Sequence, residues 1–75
     1  MLVWVRLPEL PVEYFNEGAL YEIAKLASVP IEVDFATDSV RRARYAHVCI
    51  EISLAKPLVS RIWVANGWQK IEYEN

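Results

Sequence analysis

The stretch VRRARYAHVCIEI, Val40 to Ile52, sets three arginines directly before a run of alternating apolar residues. Ala46, Val48, Ile50 and Ile52 recur at every second position and Leu54 continues the series. A strand therefore turns these five inward and leaves Tyr45, His47, Cys49, Glu51 and Ser53 outside. The reading of this strand, and of the arginines at its entrance, governs what the rest of the chain must do.

Working toward the N-terminus, IEVDF alternates again, with Ile31, Val33 and Phe35 together, and ATDSV carries the small polar residues of a loop. Before it, Asn16 is a good helix N-cap, Glu17 suits the positive end of the dipole, and Phe15 can staple onto Leu20. Leu20, Ile23, Ala24 and Ala27 fall at i, i+3, i+4 and i+7, which predicts a helix from about Glu17 to Ser28 that buries one stripe and ends before Pro30. The opening LVWVRL is a further strand, with Val3, Val5 and Leu7 on one face and Leu2, Trp4 and Arg6 on the other. PELP stops it, since proline cannot donate to a ladder.

Toward the C-terminus, AKPL breaks the long strand, and Asn66-Gly67 between two apolar runs predicts a hairpin. With Asn66 and Gly67 as the central turn residues, Ala65 faces Trp68, Trp63 faces Lys70, Ile62 faces Ile71 and Arg61 faces Glu72. Lys70 can then lie over Trp63, and Arg61 can pair with Glu72. The order strand, helix, strand, strand, hairpin predicts an α+β two-layer sandwich: one main helix on a mainly antiparallel sheet of four or five strands. It is a relative of the RNA-recognition and ferredoxin-like split β-α-β arrangement with the second helix reduced to LAKPL. The alternative is a partly closed small barrel, with the long third strand curling the sheet.

Composition bounds the function. A chain of 75 residues is one small domain that can bury only roughly 60 to 65% of its unfolded surface. Its 55% hydrophobic content and its nine aromatic side chains still let it pack without disulfides or metal. No apolar run is long enough for a membrane span and no signal-peptide pattern opens the chain, so the expected location is intracellular, cytoplasmic or nuclear, with no membrane partner. Cys49 is the only cysteine. It excludes an internal disulfide, and beside His47 it is too poor a ligand set for a metal. No nucleophile and base pattern or phosphate loop is present, so neither an enzyme nor a cofactor is expected. Ten acidic residues against eight basic ones leave any nucleic-acid binding to a local patch.

One such patch is predicted on the open sheet face, where Trp4, Arg6, Tyr45, His47 and Trp63 gather with Lys70 close by. Aromatics flanked by cations on a sheet stack single-stranded bases. The same face could equally meet a neighbouring domain or a second protomer, because one helix leaves a large apolar surface uncovered. Arg41, Arg42 and Arg44 form the densest positive cluster. They are either phosphate contacts or a solvated charge run partly neutralised by Asp34 and Asp38.

Three blocks carry a resemblance: VWVRLPELPVEYFNEGALYEIAKLASVPIEVD, then RARYAHVCIEISLAKPL, then WQKIEYEN. Nearly end to end and in this order, the chain resembles the plant domain found before a CCHC zinc knuckle in the gag-like, first-reading-frame proteins of LINE-type retrotransposons and their domesticated relatives. The resemblance implies a fragment of a longer gag-like protein that is associated with nucleic acid, coats element RNA or joins a ribonucleoprotein particle, and has no enzyme activity of its own. It implies a knuckle beyond Asn75 and a role in placing that knuckle beside a preceding domain. It names no base-contacting residue. His47 stands where relatives tend to carry Arg, which removes a charge from the positive stripe at neutral pH.

Overall fold

The structure is a computed structural model that describes residues 1–38 and 43–74. Strand β1 is Leu2–Leu7, followed by a short 3-10 turn at Val12–Tyr14 and the helix α1, Glu17–Lys25. Then come β2 (Val29–Asp38), β3 (Ala43–Glu51), β4 (Arg61–Val64), β5 (Gly67–Lys70) and β6 (Glu72–Tyr73). Four strands make one sheet in the order β2-β3-β1-β6, and every neighbouring pair is antiparallel. Because β1 and β2 both oppose β3, they run parallel to each other with β3 between them. This is the strand order of a split β-α-β unit with α1 as the crossover. The separate hairpin β4–β5 takes the chain position of that unit's second helix. The sandwich is α+β as expected, one helix on an antiparallel sheet of four strands, with the hairpin standing apart as a second, two-stranded sheet.

The core follows from the alternation. Val5 and Leu7 of β1 and Ala46, Val48 and Ile50 of β3 are all buried. Leu20, Ile23 and Ala24 of α1 close over them, with Ala27 at the margin, as the helical spacing predicts. Asn16 caps the helix, its Oδ1 accepting from the Ala19 N–H at 2.9 Å. Ile62 of the hairpin and Ile71 join the same core. Gln69 is buried and donates from Nε2 to the Pro8 and Lys70 carbonyls, which fastens the hairpin to the turn after β1.

Several boundaries differ from the sequence reading. The helix stops at Lys25, with Leu26 as its C-cap, and Pro30 lies inside β2, an edge strand where a missing N–H is tolerated. Ala36, Thr37 and Asp38 belong to β2, paired with Tyr45, Arg44 and Ala43, whereas Ser39 and Val40 lie outside the described residues. The register shifts between Pro30 and Glu32, and the extra residue, Ile31, is 46% exposed instead of packing with Val33 and Phe35. At the other end, the Ile52 N–H bonds to the Met1 carbonyl, and β3 ends at Glu51. Leu54, expected inside, lies beyond the strand and is 80% exposed.

The hairpin turns one position earlier than Asn66-Gly67 predicts. Ala65 and Asn66 take the positive φ values, 50° and 64°, and Gly67 is the first residue of β5. The register is therefore Val64↔Gly67, Trp63↔Trp68, Ile62↔Gln69 and Arg61↔Lys70. Neither the predicted contact of Lys70 with Trp63 nor that of Arg61 with Glu72 belongs to this register.

Candidate nucleic-acid interface

The open face of the four-stranded sheet is assembled by cross-strand partners. Trp4 sits opposite Cys49, Arg6 opposite His47, and Asp34 and Glu32 of β2 flank His47 and Cys49 on the other side. Trp4 and His47 stack with ring centroids 4.3 Å apart, and the edge of His47 meets Tyr45 at 6.0 Å. The Arg6 guanidinium lies over the Tyr45 ring at 4.7 Å while its Nε donates to Glu74 Oε1 at 2.8 Å. His47 Nε2 is 2.9 Å from the same carboxylate oxygen without the alignment of a hydrogen bond. Cys49, expected to be half-buried, is buried between Trp4 and Glu32 on the neighbouring strands.

This face is therefore already occupied by its own side chains. Trp4, Tyr45 and His47 are half-buried in contact with one another or with Arg6. The hydrogen bond from Arg6 does most to hold the Glu74 carboxyl below its ordinary value of 4.5; partial burial opposes this, and His47 adds to the lowering. With Glu32, Asp34, Glu51, Glu72 and Glu74 around a single described arginine, the face is acidic. A polyanion approaching it meets like charge.

Trp63 and Lys70 are not on that face. They belong to the outer face of the hairpin, which is a separate sheet and not part of the open face on which the sequence reading placed them. Trp63 and Trp68 stand side by side, edge to face, with centroids 5.2 Å apart and an interplanar angle of 82°. They remain 55% and 60% exposed. Arg61 lies over the Trp68 ring at 4.3 Å, and Lys70, directly opposite Arg61, reaches Glu72 at 3.7 Å. Beside Trp68 and Lys70 a hollow of about 370 Å³ runs toward Pro8 and Glu9. The expected register already set Arg61, Trp63, Trp68 and Lys70 on one face of the hairpin; the turn at Ala65-Asn66 changes which of them stand directly opposite, Trp63 with Trp68 and Arg61 with Lys70.

The arginine cluster divides. Arg44 lies over Phe15 and Phe35, at 5.8 and 5.6 Å, where those two rings stack at the margin of the core. The residue is exposed, with its guanidinium facing the two rings. Arg41 and Arg42 lie outside the described residues. Among the described residues no group of His, Cys, Asp and Glu is arranged to hold a metal ion, and no helix is long and apolar enough to cross a membrane. Comparison with family models, with curated proteins and with solved structures yields no match.

Proposed function

We propose that this chain is a non-catalytic, nucleic-acid-associated domain of the retrotransposon gag-like kind its sequence resembles, working inside the cell in the cytoplasm or nucleus. It holds single-stranded RNA or DNA weakly and with little sequence preference. The observation that carries the reading is the outer hairpin face, where two exposed indoles lie beside Arg61 and Lys70. An indole face stacks any base, and the two cations beside it reach backbone phosphates. The open sheet face, expected to be the platform, contributes little because its aromatics are engaged and its surroundings are acidic.

An NMR titration with a short single-stranded RNA at low and at physiological salt tests this. Shifts should cluster on Trp63, Trp68, Arg61 and Lys70. The affinity should fall with salt at a log–log slope of about −1.4, the value for two phosphate contacts on a single strand. Trp68→Ala should weaken binding by about 1 to 3 kcal/mol. An unperturbed spectrum at low salt removes the reading.

A second reading, a protein-interaction or scaffold module, is favoured by the apolar residues gathered at one end of the sheet. Leu2 and Val29 flank Glu51 in the last row of the ladder, and Leu54 and Leu58 of the following connection are also exposed. A groove of about 670 Å³ lies there between Ala27, Val29, Ile52 and Leu58.

A further inference from the structure

The two faces described above have opposite chemistry. The sheet face displays Glu32, Asp34 and Glu51 as exposed residues, and its arginine is held by Glu74. Two such faces related by a twofold axis would set carboxylate against carboxylate, so symmetric pairing through the open sheet is opposed. The hairpin face is its complement, with two exposed apolar rings in one row and two cations in the next. The spacings differ by an amount that long Arg and Lys side chains can span. Glu32 and Asp34, two apart on one strand, stand about 7 Å apart. Arg61 and Lys70, directly opposite across the hairpin, stand about 5 Å apart at their Cα atoms.

From this complementarity we propose that the hairpin face of one molecule docks on the acidic sheet face of a second copy. Arg61 and Lys70 meet Glu32 and Asp34, while Trp63 and Trp68 cover the half-buried ring of Trp4. The contact is head-to-tail, so each molecule keeps one face of each kind available and association is open-ended at low salt. Lys70 exchanges its own exposed Glu72 for the carboxylates of the second copy. The contact does not depend on nucleic-acid binding, but it uses the same hairpin, so single-stranded RNA and the second copy exclude one another.

Sedimentation velocity on the whole chain tests this with two double variants at exposed positions, Glu32→Gln/Asp34→Asn and Arg61→Gln/Trp68→Ala. Wild type should sediment faster with rising concentration at low salt, without a plateau at the dimer, and return to monomer at high salt. Each variant alone should need about tenfold more protein to associate. An equimolar mixture of the two should form a 1:1 dimer that grows no further, since one supplies the intact sheet face and the other the intact hairpin. Amide spectra matching wild type establish that both variants fold. A monomeric wild type at low salt overturns the proposal, as does a mixture that fails to pair or association that either variant leaves unchanged. None of these outcomes touches RNA binding by the monomer, which the titration reads separately.

Discussion

Glu74 connects the last strand to the sheet through a single side chain. Its carboxylate accepts from Arg6, 68 positions away in sequence, and lies beside His47. A carboxyl held below its ordinary value stabilises the fold above the unfolded-state value and loses that contribution as pH falls through the folded value. Glu74→Gln should therefore lower stability at neutral pH by about 0 to 1 kcal/mol, as expected for a pair that is partly solvent-exposed. The difference from wild type should begin to shrink near pH 4.5 and vanish only as pH falls through the lowered folded-state value. Urea midpoints measured across the acid range check this, and a difference that persists unchanged at low pH contradicts it. Nothing local in the sequence marks Glu74, because its partnership exists only once β6 lies beside β1. Asn16 was legible by contrast, since a cap and the N–H it serves are three residues apart.

At the level of elements, the β4–β5 turn shows why a short motif can name a structure and misplace it. Asn66-Gly67 announces a hairpin, but either Ala65-Asn66 or Asn66-Gly67 can supply the two central positions. The choice falls to the pairing of Ile62 with Gln69, which buries both, and of Trp63 with Trp68. The outcome leaves Ala65, a residue with a Cβ, at φ 50°. Ala65→Gly should relieve that conformation and raise stability by up to about 1 kcal/mol net of the glycine's greater unfolded-state freedom. The thermal midpoint should rise, with the tryptophan fluorescence of the native state unchanged; a lowered midpoint would show that the turn carries no strain at this position. The free edge of β2 shows the same interplay of local and tertiary causes. The Phe35 N–H donates to Asp34 Oδ1, Tyr21 donates to the Ile31 carbonyl, and Pro30 has no N–H to offer, so these three positions are blunted against another strand. The bulge that shifts Ile31 outward has no signature in an alternating stretch such as IEVDF, which is why that residue was expected in the core.

The molecule as a whole depends on one small core. Its centre is Leu20, Val48 and Ile50, each less than 2% exposed. Leu20→Ala should cost about 2 to 5 kcal/mol, against roughly 4 to 11 kcal/mol for the entire fold of a chain this size. Denaturant unfolding should therefore show a midpoint lowered by roughly half at the middle of both ranges; a loss below about 1 kcal/mol would mean that the helix packs less tightly than its burial indicates. The class of the fold and the inner faces of β1, α1 and β3 could be read from periodicity alone, because Val5, Leu7, Leu20, Ile23, Val48 and Ile50 repeat at the spacing of their elements. The division into two sheets could not, since no local pattern says that β6 will cross to the edge of β1 while the hairpin stands apart.

That crossing has a mechanical meaning. β1 and β6 are antiparallel neighbours, and the Glu74 N–H bonds to the Trp4 carbonyl, so the chain enters and leaves the sheet at the same end. Tension applied between these two points does not shear a row of hydrogen bonds loaded together. It opens them singly, like a zip, beginning with the two-residue strand. With only Val5↔Tyr73 and Arg6↔Glu72 paired there, little force should suffice to part β6 from its neighbour.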